Sequence, residues 1–99
     1  ADYNGNANNP PLAQDDAYHT FVNTFVNGNV LNNDSDPNGN PISASLVTVP
    51  VNGNIVLNNN GSFIYVPNNN FTGTDQFIYQ TCDPSNVCDQ ATVYITTSN

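Results

Sequence analysis

The sequence predicts an all-β fold, and three observations predict it. Val, Ile, Thr, Phe and Tyr supply the apolar and β-branched positions, while Lys, Arg and Glu are absent and other helix formers are scarce. Asn-Gly occurs five times, at Asn4, Asn27, Asn38, Asn52 and Asn60 with the following glycine, in a chain that holds 21 Asn. Asn-Gly favours turns because both residues tolerate positive φ. Between these signals lie short runs of alternating apolar and polar residues, the period of a half-buried strand.

The runs place strands at 17–22, 25–31, 42–49, 53–58, 62–66, 75–82 and 88–97, and no helix. Seven strands at this spacing fit a seven-stranded immunoglobulin-like Greek-key sandwich. The turn at Asn60-Gly61, between NIVLN and SFIYV, is the strongest hairpin signal. A chain of 99 residues fits one small domain, which gains from a staple such as a disulfide or a metal. Residues 1–12, ADYNGNANNPPL, read as a linker or docking segment ending in Pro10-Pro11, and residues 13–99 as the domain. An extended leader of this kind can add to the open sheet edge of a neighbouring copy.

Parity tests the last two strands. In TDQFIYQTC, Phe77 and Tyr79 share a face; in CDQATVYIT, Ala91, Val93 and Ile95 share one. Setting Cys82 opposite Cys88 places Tyr79 opposite Ala91 and Phe77 opposite Val93, so the apolar faces coincide in the register a disulfide demands. A one-residue slip misaligns both. Cys82–Cys88 is therefore expected to lock this hairpin, in an oxidising, extracellular setting.

All 8 acids are Asp, and the formal charge of −8 has no internal cation except His19 when protonated. Nucleic acid and anionic membrane surfaces are poor partners, since both require Lys or Arg, and neither nucleic-acid binding nor membrane insertion is expected. No apolar run approaches the length of a membrane span, and no signal-peptide core is present, so the chain reads as a piece of a mature protein. Wherever folding gathers Asp side chains, distance, protonation or a bound cation must relieve their repulsion.

The run Asn33-Asp34-Ser35-Asp36-Pro37-Asn38-Gly39-Asn40 sets Asp34, Asp36 and Asn38 at alternate positions before a glycine. That copies the first half of a D-x-[DN]-x-[DN]-G calcium loop, where alternate side chains converge on one ion because glycine permits the sharp turn. Asn40 can add its backbone carbonyl. Ser45 stands where a bidentate Glu would close the loop, so the missing carboxylate must come from Asp15, Asp16, Asp75 or Asp83. The competing reading is a polar Asx turn that binds nothing. Oxygen-only donors favour calcium over zinc.

The segments AQDDAY, NVLNNDSDPNGNPI, GSFIYVPNNNFTGTDQFIYQTCD and CDQATVYITT resemble the tandem immunoglobulin-like, cadherin-like domains of large bacterial surface adhesins, over residues 9–97. The resemblance implies a sandwich in tandem with like domains at the cell surface, with calcium held by acidic residues near strand ends. Asp16, Asp34, Asp36 and Asp75 match recurrent acidic positions of that family, and Asp15 matches less closely; Asn38 and Asn40 depart from its usual Asp, which lowers charge and affinity. The expected role is an extracellular structural module of an adhesin or self-assembling filament, rigidified by calcium, whose partners are neighbouring copies or tandem domains.

Catalysis finds no support in the motifs. His19 lies in AYHTF, where strand periodicity makes it a surface residue, and Asp15-Asp16 point to opposite faces of an extended chain. The rival role is carbohydrate binding to a cell-surface glycan, with Tyr3, Tyr18, Tyr65 and Tyr94 as stacking platforms. A contiguous exposed aromatic strip would favour that role, and scattered tyrosines a spacer. The sequons at Asn33, Asn60 and Asn70 follow from the abundance of Asn, Ser and Thr.

Overall fold

The computed structural model describes residues 11–32, 34–36, 38–39 and 41–99. Among them lie seven strands and no helix: β1 Asp16–Phe21, β2 Val26–Asn29, β3 Ser43–Thr48, β4 Gly53–Leu57, β5 Ser62–Pro67, β6 Gly73–Cys82 and β7 Cys88–Ser98. The order β1-β7-β6-β3 makes one sheet and β2-β5-β4 the other. Only β1 and β7 pair in parallel. The chain alternates between sheets through its first four strands and then adds the β4–β5 and β6–β7 hairpins, the connectivity of an immunoglobulin-like sandwich. Each expected strand is present. β2 stops at Asn29, earlier than periodicity suggested, because Asn29 Oδ1 accepts the Leu31 N–H at 2.8 Å and turns the chain out of the ladder.

Alternation sets the core. Phe63 and Tyr65 of β5, Phe77 and Tyr79 of β6, and Ala91, Val93 and Ile95 of β7 are all buried, with Val30 and Ala44 completing the cluster. Phe63 meets Phe77 across the two sheets edge-on at 5.7 Å, and Tyr18 meets Phe63 likewise at 5.1 Å. Each of these large side chains contributes about 1.5–3 kcal/mol by leaving water, which is what holds two small sheets together.

The β6–β7 register is the one parity demanded: Phe77 faces Val93, Tyr79 faces Ala91, and Cys82 faces Cys88. The two cysteines form a disulfide with their Cα atoms 4.1 Å apart, the closer of the two spacings in an antiparallel ladder. Asp83 shapes the connecting loop from within. Its Oδ1 accepts Ser85 N–H at 2.9 Å and Val87 N–H at 3.1 Å, while its carbonyl accepts Asn86 N–H at 3.0 Å.

Two expectations need refinement. The β4–β5 hairpin does turn at Asn60-Gly61, but only Gly61 takes positive φ, at +93°. Asn58 N–H donates to Ser62 O and Gly61 N–H to Asn58 O, both at 2.9 Å, giving a three-residue loop that ends in a left-handed glycine instead of a two-residue turn. A side chain at Gly61 would meet Asn29 Oδ1 and Leu31, so glycine is required for space as well as conformation. At the N-terminal side, Pro11 is buried and Leu12 bridges Ser35 of its own domain, N–H to O at 2.6 and 3.1 Å. The end of the segment assigned as a leader thus pairs in cis, while residues 1–10 lie outside the described residues.

Removing the disulfide should cost about 2–3 kcal/mol for so short a loop, a drop in melting temperature on the order of 10 °C for a domain of this size. Thermal melts of the Cys82→Ser/Cys88→Ser double variant against the oxidised protein measure this; equal midpoints would mean Asp83 alone suffices to shape the loop.

Candidate functional site

In a chain without Lys or Arg, each carboxylate must find neutral donors or water. Asp75 shows the pattern most fully. It points inward from β6 on the same face as Phe77 and Tyr79 and is only 5% exposed. Its Oδ1 accepts Val51 N–H at 3.1 Å and Gln76 N–H at 2.9 Å; its Oδ2 accepts Asn52 N–H and the Tyr65 hydroxyl, both at 2.8 Å. One side chain thereby fastens the β3–β4 loop and ties β6 of one sheet to β5 of the other. Burial, then the adjacent Asp75, pushes the Tyr65 phenol well above its ordinary 10.0.

The other half of the sandwich, where β3 and β7 begin, β6 ends and the chain enters β1 opposite Thr92 and Val93, collects Asp15, Asp16, Asp34, Asp36, Asp83 and Asp89, all the described acids except Asp75. Asp34 is its centre. Asp34 Oδ1 accepts Gln14 N–H at 3.0 Å, and Oδ2 accepts the hydroxyl of Tyr79 at 2.7 Å; Val30 O lies 3.1 Å from the same hydroxyl. Desolvation raises the Asp34 carboxyl above the usual range and the charge of Asp89 adds to it, against the lowering effect of the Tyr79 and Gln14 hydrogen bonds. Tyr79 is raised in turn by burial, by Asp34, and by the charges of Asp16 and Asp15. Asp15 Oδ1 accepts Thr92 N–H at 2.8 Å and Asp89 Oδ2 accepts Ala13 N–H at 2.9 Å, so both hold the incoming chain against β7.

Asp36 and Asn38 share an Asx turn: Asp36 Oδ1 accepts Asn38 N–H at 2.7 Å, and Asp36 O accepts Gly39 N–H at 2.9 Å. The other carboxylate oxygen of Asp36, Oδ2, is buried with no hydrogen-bond partner among the described residues, and Asp16 Oδ2 is buried as well. Of the expected calcium ligands, the fold brings Asp15, Asp16, Asp34, Asp36 and Asn38 to one end. Asn40 lies outside the described residues. Asp75 is set apart from them: it precedes Tyr79 by four positions on β6, about 13 Å along the strand, and clamps the opposite end. Among the described residues no group of three or more His, Cys, Asp or Glu side chains is gathered closely enough to hold a metal by itself. An ion at the Asp36 loop would need carbonyl oxygens, Asn38 and water as further donors, which suits a hard cation with six to eight oxygen ligands.

The remaining candidates have structural employment. His19 Nε2 lies 2.6 Å from Ser98 Oγ and its ring stands edge-on to Phe21, on the exposed edge strand β1. Tyr65 and Tyr79 are core, Tyr18 is half-buried against Phe63, and Tyr3 lies outside the described residues; Tyr94 is the one tyrosine exposed among those described. Tyr65 was expected to offer a stacking face and instead fills the sandwich. Sequence reasoning missed the roles of Tyr65, Tyr79, Asp83 and Asp89. Parity could have found the first pair, because it places Asp75 on the inward face, where a carboxylate needs a buried donor.

Tyrosines with raised pKa values make the fold alkali-sensitive. Their stability contribution is intact below pH 10, where the unfolded chain keeps its phenols neutral, and it falls as pH rises toward the folded-state values, by about 1.4 kcal/mol per unit for each such group. Denaturant melts between neutral pH and strong alkali should show this decline, and Tyr65→Phe should make it shallower while costing about 1.5–3 kcal/mol at neutral pH through the lost bond to a charged acceptor. An alkaline slope equal in both proteins would place Tyr65 outside the titration.

A search of curated proteins matched none. Among solved structures, a nucleoside hydrolase-related hypothetical protein from Saccharophagus degradans, associated with carbohydrate metabolism, is similar with a TM-score of 0.71 and 14% identity over 94% of this chain. An endo-fucoidan hydrolase of glycoside hydrolase family 107 is similar in two structures, with TM-scores of 0.67 and 0.69 and 15% identity over 90% and 91% of the chain. The chain spans 26% of the first protein and 14% of the hydrolase, so what it shares with them is one module's fold. The family model described as "Bacterial Ig domain" matches residues 8–96, nearly the whole chain. Such domains are non-catalytic and common in surface and extracellular proteins. With its two sheets, its seven strands and this match, the chain belongs to the bacterial Ig domain family.

Proposed function

We propose that the chain is an extracellular structural module of a longer bacterial protein, a spacer that holds its neighbours in a defined geometry. The observation that carries this reading is where the polar groups are spent. Asp15, Asp34, Asp75 and Asp89 each accept backbone N–H groups from positions 20 to 77 residues away, fastening the chain to itself instead of lining a cleft. Both flat faces are free of carboxylates: the three-stranded sheet presents Val56, Ile64 and Val66, and the four-stranded sheet presents Thr74, Gln76, Tyr94 and Thr96. The glycan-binding alternative has less support, since Tyr94 is the one exposed tyrosine among the described residues and the other exposed aromatics there are Phe21 and Phe25. Tandem or neighbouring domains are the fitting partners, because modules of this fold are a minor share of the chains they resemble.

Calcium at the acidic end fits the same reading. Asp34, Asp36 and Asn38, with Asp16 or Asp15 nearby and Asn40 as a carbonyl donor, offer oxygens only, and the buried Oδ2 of Asp36 and the desolvated carboxyl of Asp34 are groups a cation would satisfy. Asparagine in place of aspartate and the lack of a closing Glu set affinity in the weak extracellular range, on the order of 10⁻⁴–10⁻³ M. At a hundredfold excess over that constant, calcium should stabilise by about 2.7 kcal/mol, several degrees in melting temperature. Asp36→Ala should abolish the calcium-dependent rise, whereas Asp75→Asn should lower the baseline and leave the rise intact. A melting curve indifferent to both calcium and chelator would leave the spacer without its metal.

A further inference from the structure

Among the described residues four strands form the open edges of the two sheets, β1 and β3 of one and β2 and β4 of the other. An edge strand offers N–H and C=O groups to any strand that meets it, and proteins guard such edges with charge, proline or brevity. β1 begins on Asp16 and follows Asp15. β2 has four residues, and Val56 is the one exposed apolar side chain of β4. β3 is guarded least. Ser43–Thr48 and the residues after it carry no charge, and Leu46, Val47, Val49 and Val51 are all exposed. The cause is local: the register against β6 shifts between Leu46 and Thr48, where Ile78 N–H donates to Thr48 Oγ1 at 3.1 Å. A bulge of this kind breaks the alternation and turns consecutive apolar residues to solvent. Asn59 O covers the start of the strand by accepting Ala44 N–H at 2.9 Å, and the buried Pro50 closes its far side, so the open stretch is residues 45–49.

We infer that this β3 edge is a self-association surface, occupied by the same edge of a second copy of the chain, antiparallel and centred on Thr48. The sequence selects that occupant. Val47-Thr48-Val49 reads alike in both directions, so an antiparallel pair about Thr48 sets Val47 against Val49 of the second copy, and Val49 against its Val47. Charge selects the direction. The six acids of the acidic half lie where β3 begins, and the strand runs away from them. Antiparallel edges put the two acidic halves at opposite ends of the pair, whereas parallel edges would lay them side by side with no Lys or Arg between. Pairing about a two-fold axis uses up this edge in each copy and closes as a dimer. The bulge and Pro50, which has no N–H to give, keep the ladder short. Pairing here needs no calcium and leaves both ends of the sandwich free for tandem neighbours.

Sedimentation equilibrium of the intact chain with chelator present tests the pairing. The apparent mass should rise from 10.6 kDa toward twice that value with concentration. The contact is smaller than a standard interface of about 1,600 Å², so the dimer gathers only at high concentration. High salt should favour it, by screening two chains of −8 from each other. Val49→Asp should weaken dimerisation about tenfold or more by setting carboxylates into the ladder, whereas Val56→Asp, the same charge on the outer face of the other sheet, should leave it unchanged. Under mild oxidation Thr48→Cys should cross-link copies faster than Val51→Cys. Chance collision would favour Val51, which is 83% exposed, but in this register the two Val51 positions stand about 20 Å apart along the ladder. A monomer at every concentration, which would leave the edge to a strand of some other protein, would overturn the inference. So would a dimer indifferent to Val49→Asp or equally sensitive to Val56→Asp, faster cross-linking at Val51, or growth beyond the dimer.

Discussion

The fold depends on one constraint: eight carboxylates and no Lys or Arg to answer them. A buried carboxylate in a low-dielectric interior is costly unless paired, and the usual partner is missing. The chain answers with phenols and backbone amides. Tyr65 donates to Asp75 at one end, joining strands of opposite sheets, and Tyr79 to Asp34 at the other, joining β6 to the β2–β3 loop. Hydrogen bonds to charged acceptors are worth roughly twice neutral ones, so these two contacts act as directional ties that hydrophobic packing alone does not supply. The same tyrosines bury large rings in the core. Their hydroxyls end where the core ends, which is why each sits beside the loop its aspartate holds.

The charge distribution follows from that arrangement. A carboxylate that caps backbone N–H groups belongs at strand ends, where such groups are unpaired by the ladder, so the Asp residues leave the flat faces and gather at the termini of strands. Because the chain enters β1 opposite the middle of β7, and the β2–β3 and β6–β7 loops lie at the end where β7 begins, six of the seven described acids lie in one half of the sandwich. Two like poles repel, and so the acidic end disfavours any head-to-head contact between copies. An end of this kind meets a neutral surface or a cation. A spacer in a chain of domains benefits from that directionality.

Much of this was legible in the sequence, and the reasons differ by element. The strands were legible because two-residue alternation repeats through GSFIYV, TDQFIYQ and ATVYI. The disulfide register was legible because two independent constraints, the apolar faces and the cysteines, agree. The site was half legible. Spacing in NDSDPNGN showed a turn rich in oxygen donors, but spacing cannot tell a ligand from a clamp, and Asp75 is a clamp. That distinction depends on which loop folds over β6, a contact between residues 23 and 24 positions apart. Asp89 was overlooked for the same reason, its partner Ala13 being 76 positions away.

Asparagine completes the logic. Turn chemistry needs a short side chain that accepts from the backbone and tolerates the left-handed region, and Asp and Asn both qualify. In a chain already carrying −8, every further Asp at a turn would deepen uncompensated repulsion, so the neutral residue takes the burden. Among the described residues the non-glycine positions with positive φ are all asparagine: Asn23, Asn70 and Asn86. Asn23 and Asn70 also bind each other, Asn70 N–H to Asn23 Oδ1 at 2.8 Å and Asn23 Nδ2 to Asn70 Oδ1 at 3.2 Å, joining the β1–β2 turn to the β5–β6 loop. At the pole where Asp75 is the one described acid, amides therefore do much of what carboxylates do at the acidic one. The cost is chemical: an amide followed by glycine can become the acid it replaced wherever the backbone is left free to turn. The strands and packed turns that restrain Asn27, Asn52 and Asn60 hold those amides away from that reaction, and so protect the charge balance as well as the shape.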